Sequence, residues 1–269
     1  MKNVLVVYYS QTGQLAEILN NFLLPMSADY HVDYAEIKTS QYTFPLTWKS
    51  MFEMFPESVL QMSCEISYEL PKGKDYDIII LGFQTWFLHL SLPMLAFSGT
   101  QDFCSLIKDK DVYLVMDCRN SWRPSMEYME NRVLDTGGIV KGRYVFGSAG
   151  GNLSGSISIL HWFFTGNKKL PFFTEPGVPQ SDIEHASEYG TGLLCCHPKD
   201  YIMFYPLNTN KFLPIEVEQY AIDKFKRWAH FICKNNNKNR TIRLFLFKAW
   251  LLCTIVIISP KILLLKNKQ

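Results

Sequence analysis

Val4-Leu-Val-Val-Tyr-Tyr-Ser-Gln-Thr-Gly-Gln-Leu15 is the stretch that decides the reading of this chain. Val4 to Tyr9 is a continuous apolar and aromatic run of strand length, the pattern of a strand buried on both faces. It breaks into Ser10, Gln11, Thr12, Gly13 and Gln14. Leu15-Ala16-Glu17-Ile18-Leu19 then resumes as a helix running to Leu24 and ended by Pro25. A strand, a polar turn and a helix start gather successive backbone N–H groups and the positive end of a helix at one point, which suits an anion. Gly13 permits the close approach or positive φ of such a cradle, and Ser10 and Thr12 add hydroxyls. The loop has no Lys, so it is not the GxxxxGK[ST] loop that grips a triphosphate, and a single phosphate matches it better. The same residues also suit an ordinary strand-to-helix turn with Thr12 as its N-cap.

Further apolar runs follow at Tyr30–Ile37, Tyr76–Leu81, Val112–Met116 and Gly142–Phe146, with helical stretches between them, among them Met126–Leu134. Alternating strands and helices predict an α/β fold with a doubly wound, five-stranded parallel sheet. Gln41–Tyr68, with Trp48, Phe52 and Phe55, reads as an aromatic insertion. Asn152–Phe173, with Trp162-Phe163-Phe164, reads as an apolar helix or lid that includes His161. Ser181 and Glu184 offer N-cap chemistry for a closing helix to about Leu194. Residues 1–198 therefore form the main domain, 199–233 a helical extension containing a helix at Ile215–Cys233, and 234–269 a basic tail.

The chain has 269 residues and is 48% hydrophobic, which excludes a disordered protein. Its N-terminus lacks a secretory h-region and cleavage site, so a cytoplasmic setting is expected. The seven cysteines show no CxxC pair, and no metal site is expected; Cys195, Cys196 and His197 are the one local cluster. The net charge of +2 hides a division. From Lys224 onward there are 11 Lys and Arg and no Asp or Glu, leaving 16 basic against 25 acidic residues before it. Such a tail is drawn to a polyanionic surface.

In open α/β sheets, ligands bind beyond the carboxyl ends of the strands. The third strand leads into Gln84, Thr85, Trp86 and Phe87, and the fourth into Cys118, Arg119, Asn120, Ser121 and Trp122, so aromatic and amide-bearing loops share an edge with Ser10–Gln14. VLVVYYSQTGQ, YDIIILGFQTWF and the fourth strand with its polar loop resemble the flavodoxin-type FMN-binding proteins over roughly residues 1 to 198. That resemblance implies that Ser10, Gln11, Thr12, Gly13 and Gln14 hold the FMN phosphate. It also implies that Gln84, Thr85, Trp86 and Phe87, with Cys118, Arg119, Asn120, Ser121 and Trp122, flank the ring. Leu15 stands where the family usually has a hydroxyl or small residue.

A narrower resemblance spans nearly the whole chain. VLVVYYSQTGQL, FPESVL, IIILGFQTWFLHLSLPM, Cys118-Arg119-Asn120 with Trp122, and ILHWFFTGNK are similar to the flavodoxin-like family of dialkylresorcinol condensing enzymes. It implies a part in resorcinol-lipid and aryl-polyene pigment biosynthesis, with a partner ketosynthase and an acyl carrier protein pathway. No cysteine stands out as a condensing nucleophile, so the expected chemistry is flavin-dependent oxidation of a lipophilic dialkylcyclohexanedione to a resorcinol. His89 is the candidate base and Arg119 the candidate enolate partner, with Arg123 nearby. A membrane-bound flavodoxin-like electron carrier, and a flavodoxin-like dehydrogenase of a quinone or protoporphyrinogen-type substrate, remain as alternatives.

LFLFKAWLLCTIVIISPKILLL, residues 244–265, is the most apolar segment, long enough for about 33 Å of helix. Lys248, Pro260 and Lys261 interrupt it. The expected partner is an anionic membrane surface on the cytoplasmic side, met peripherally by a helix lying in the interface or by a tail-anchoring span, with a buried core helix as the further alternative. No nucleic-acid role is expected, because IVII runs do not suit an exposed polar binding face.

Overall fold

The computed structural model describes residues 2–28, 30–148, 152–190, 202–205, 214–234 and 239–266. Cys195, Cys196 and His197, and the 191–194 end of the expected closing helix, lie outside them.

β1 (Lys2–Tyr8) lies between β2 (Tyr30–Glu36) and β3 (Ile78–Trp86), parallel to both, with Val4 opposite Val32 on one side and Ile78 on the other. β3 turns back through a short antiparallel strand, β4 (His89–Leu90), and also pairs in parallel with β5 (Asp111–Cys118). β5 pairs with β6 (Ile139–Gly147), and β6 with β7 (Ile202–Tyr205), again in parallel. The sheet order is β2-β1-β3-β5-β6-β7. Without the hairpin strand and the last edge strand this is the 2-1-3-4-5 order of the flavodoxin-like fold.

Among the described residues the parallel sheet has six strands rather than five. Ile202–Tyr205 is a four-residue run too short to announce itself, and it becomes a strand because the open edge of β6 offers it backbone partners. The 199–233 extension thus supplies an edge strand as well as a helix.

Alternation along the strands fills two cores. Val4, Val6, Ile78, Ile80 and Val115 face one side, where α1 (Gln14–Leu23) contributes Leu15, Ile18, Leu19 and Phe22. Leu5, Val7, Ile79, Leu81, Leu114 and Met116 face the other. That side is covered by α2 (Trp48–Val59), α3 (Leu92–Ser98), α4 (Gln101–Ile107) and α5 (Arg123–Asp135). Gly82 lets α1 sit close, since a Cβ there would come within 2.7 Å of Leu19 and Tyr8 side-chain atoms.

Three local expectations change. Gln84, Thr85 and Trp86 are strand rather than loop, because β3 keeps pairing with β5 and then with β4. Asp117 and Cys118 likewise belong to β5. Ser181 does not cap a long helix. It lies inside α7 (Gln180–Glu184), which follows α6 (Asn152–Thr165) and precedes α8 (Ala186–Gly190), and its hydroxyl bonds Asp182.

The C-terminal helices α9 (Ile215–Cys233) and α10 (Arg240–Lys266) pack on α2 and on each other. Leu244 and Phe247 are buried. The Phe247 ring stacks on Phe55 at 3.8 Å between centroids and meets Phe225 and Trp228. The start of the apolar tail is therefore a core element. Among the described residues no helix is long and apolar enough to cross a membrane.

Phe247→Ala should destabilise the fold by about 3–5 kcal/mol, as expected for a large aromatic removed from a packed core. Phe245→Ala, exposed on the same helix, should change stability by roughly 0.5 kcal/mol or less. Urea denaturation of the two variants checks the contrast.

Candidate functional site

The C-terminal edge of the sheet reverses its winding between β1 and β3, the place where a doubly wound fold leaves a crevice. The loop after β1 enters α1 through Gly13, whose φ of +84° places it in the left-handed region, and a Cβ built there meets nothing within 4 Å. Ser10 Oγ accepts from Ala16 N at 3.4 Å, and the Gly13 carbonyl accepts from Glu17 N at 3.1 Å. The backbone N–H groups of Thr12, Gly13, Gln14 and Leu15 make no hydrogen bond among the described residues, nor does the Thr12 hydroxyl. Donors without partners at the positive end of a ten-residue helix are the arrangement that suits an anion.

The other polar groups of the loop are engaged. Gln11 donates its backbone N–H to Gln84 Oε1 at 2.8 Å and its side-chain amide to the Tyr42 carbonyl at 3.2 Å. The Gln14 side chain exchanges two hydrogen bonds with the Val178 backbone, at 2.8 and 3.0 Å. It is a structural clamp, and only its backbone N–H faces the cradle row. Gly177, at φ +88°, is required beside it, because a Cβ would fall 2.4 Å from Gln14 Oε1. Gly177 N also donates to Ser148 Oγ.

Gln84 continues the polar strip, its Nε2 donating to Asp117 Oδ2 at 3.1 Å. Asp117 is buried, and its Oδ1 has no partner among the described residues. Burial pushes this carboxyl up to about 7, against the opposing effects of the Gln84 donor and a backbone hydrogen bond. Neither the sequence motifs nor the spacing singled out Asp117; its only signal is a carboxylate ending the apolar run VYLVMD.

Thr85 donates to Ser125 at 2.9 Å. Trp86 is buried edge-on against Tyr9 and Tyr42, so it serves the core rather than presenting an open stacking face. Phe87 and Leu88 form the β3–β4 turn with φ of +47° and +69°, a conformation in which Asn and Gly are the usual residues. Both remain half-buried, and Phe87 meets Phe55 edge-on. His89 is buried on β4, with Nδ1 bonded to the Phe87 carbonyl at 2.9 Å. Burial lowers its pKa below the usual value; the Phe87 hydrogen bond opposes this and Lys226 adds a smaller lowering.

After β5, Cys118 is buried on the core side, and burial drives its thiol pKa well up. Arg119 and Asn120 are half-buried in the bend that follows. Burial lowers the Arg119 guanidinium to about 10, which leaves it charged at neutral pH. Ser121 and Trp122 are buried, the first bonded to Glu218 and the second packed under the Arg123 guanidinium at 5.0 Å. Arg123 and Glu218 form an ion pair at 2.9 Å. Glu218 lies 95 residues further along, in α9, and no sequence pattern connects it to this loop. His161 Nε2 is buried without a partner among the described residues. Among those residues no cluster of His, Cys, Asp or Glu could hold a metal ion.

No family model matches the chain, and no curated protein matches it. Solved structures similar to it are flavodoxin-like. A flavoprotein from Lactobacillus acidophilus in complex with FMN is 15% identical, with a TM-score of 0.43, covering 55% of this chain and 91% of its own. Oxidised flavodoxin 1 from Bacillus cereus is 13% identical, with a TM-score of 0.41, covering 73% of this chain and 100% of its own. A WrbA-like flavodoxin from Agrobacterium tumefaciens is 14% identical, with a TM-score of 0.38 and coverages of 71% and 93%. The fold assignment itself rests on strand order.

The raised Asp117 carboxyl has a consequence for stability. An unfolded Asp titrates near pH 3.9, so the native protein holds a proton that the unfolded chain has lost. The stabilisation is full below about pH 4, declines as pH rises toward 7 and is lost above it. Asp117→Asn should flatten that part of the profile, measured by urea unfolding at roughly pH 4.5 and pH 8.

Proposed function

We propose that this protein is a flavin-dependent oxidoreductase that holds FMN by its phosphate over residues 12–15. The observation that carries the reading is the row of unbonded N–H groups at Thr12, Gly13, Gln14 and Leu15, open above Gly13, at the switch point of a flavodoxin-like sheet. Such a row suits one phosphate without a lysine, because the helix end and the amides supply the positive potential. The FMN named with the Lactobacillus acidophilus flavoprotein agrees with this choice of ligand.

For the ring, the half-buried residues at the mouth formed by the C-terminal ends of β3 and β5 are Phe87 and Leu88 after the first and Arg119 and Asn120 after the second. Phe87 and Leu88 offer apolar contact. Arg119 offers a cation held in a partly desolvated place, where it acts more strongly than in water. Bound FMN supplies a hydride acceptor.

The substrate class is a lipophilic dialkylcyclohexane-1,3-dione, delivered by a partner ketosynthase and aromatised to a dialkylresorcinol. This part of the reading follows the sequence resemblance. Aromatisation of such a dione removes two hydrogens from the ring, for which bound FMN would be the hydride acceptor, and leaves a proton for this chain's residues to take. Arg119 stabilises the enolate as the C–H proton departs. His89, hydrogen-bonded through Nδ1 to the Phe87 carbonyl, is the candidate acceptor of that proton. The aromatic side chains of α2 lead toward this mouth, since Phe55 touches Phe87 while Trp48 stays exposed and stacked on Phe52 and Phe164. They suit an alkyl chain.

The purified full-length protein should carry the visible spectrum of an oxidised flavin, with FMN near one per chain identified by mass after release. A colourless protein that also fails to take up added FMN overturns the reading. Thr12→Val should weaken FMN binding about tenfold or more, the cost of one hydrogen bond to a charged group, with far-UV circular dichroism unchanged. Fluorescence quenching of free FMN measures it.

A further inference from the structure

The two halves of the α10 surface differ. Leu244 and Phe247 are buried against the body, and Trp250 and Leu251 pack beside them. On the other side, Ile242, Phe245, Leu246, Ala249, Leu252 and Cys253 are all exposed, at the i, i+3, i+4, i+7 spacing of a single helical stripe. Phe245 and Leu252 are 68% and 66% exposed, so this is a contiguous apolar face and not a set of grazing contacts. Phe231 of α9 is also exposed and lies under the guanidinium of Arg243, the residue after Ile242, at 5.4 Å. Arg227 and Lys234, one turn either side of Phe231, are exposed.

We propose that this stripe is the face on which the protein lies against an anionic lipid surface, with α10 parallel to the membrane plane and its apolar residues in the acyl boundary. Charge selects that occupant. The chain from Lys224 to its end carries 11 Lys and Arg and no acid, so a second copy placed on the same face would bring two like-charged segments together. Anionic headgroups neutralise them instead. The geometry selects the mode: α10 is anchored to the body along Leu244 and Phe247, and among the described residues no helix is long and apolar enough to cross a bilayer. The inference is independent of what the C-terminal edge of the sheet binds. It places a face for lipid on a protein whose proposed substrate is itself lipid-like.

Co-sedimentation of the full-length protein with phosphatidylcholine vesicles, with and without phosphatidylglycerol, tests the proposal. Binding should be strong only with phosphatidylglycerol and should fall as salt is raised. Phe245→Ser combined with Leu252→Ser should weaken it about tenfold or more, with the circular dichroism and thermal transition unchanged because both residues are exposed. Arg227→Glu with Lys234→Glu should weaken binding to the anionic vesicles as well. Equal binding of wild type to both vesicle types, or full binding by the serine variant, overturns the proposal. So does a dimer, seen by sedimentation velocity, that the serine substitutions abolish in a protein showing no vesicle binding.

Discussion

β1 is hydrogen-bonded on both sides, to β2 and to β3, and the rest of the molecule depends on that double pairing. The chain leaves β1 to build one neighbour and must cross to the other side to build the next, which forces helices onto both faces and opens a crevice above β1. Every residue of the central part of β1 is consequently buried on both sides, which is why it reads as VLVV without alternation. The loop that follows has nowhere to go but into the crevice, and its unpaired N–H groups gather there.

A second layer of constraint holds that loop in place. Gln11, Gln84 and Asp117 form a buried polar strip across the ends of β1, β3 and β5, while Gln14 clamps the 177–178 turn from the opposite side. Buried amides of this kind are costly unless paired, so pairing them fixes both loops relative to each other. The exception within the strip is Asp117 Oδ1, and its cost appears as a carboxyl that keeps its proton to about neutrality. The loop after β5 is held from another direction, by Glu218 reaching back from α9 to Ser121 and Arg123. The C-terminal extension thus belongs to the same edge of the sheet as the loops it supports.

The first strand, its polar loop and the alternation of strands and helices were legible because backbone-buried strands and helix starts leave local patterns of apolar and turn residues. The strand-to-helix turn at Ser10–Gln14 was legible for the same reason: it lies within fifteen residues of contiguous sequence. Local reasoning went astray where a segment's state is chosen by its neighbours. Gln84 to Trp86 and Asp117 to Cys118 look like polar loop but are strand, because β5 and β4 offer ladder partners. Ile202–Tyr205 is too short to declare itself and is a strand because β6 had a free edge. Trp86, an apparent stacking platform, is packed between Tyr9 and Tyr42.

The sequence by itself determined the doubly wound class, the polar strand-to-helix turn at residues 10–14 and the basic, apolar character of the C-terminus, since each is a property of a contiguous stretch. Only the tertiary structure decided which of those groups are still available. Gln14 and the Gln11 N–H are taken by partners 164 and 73 residues away, Asp117 is buried without a full set of donors, and one face of α10 is core while the other is open. The physical reason is common to all of them. Hydrogen-bond saturation and burial are set by what the fold brings from far along the chain, and neither is written in the residues next door.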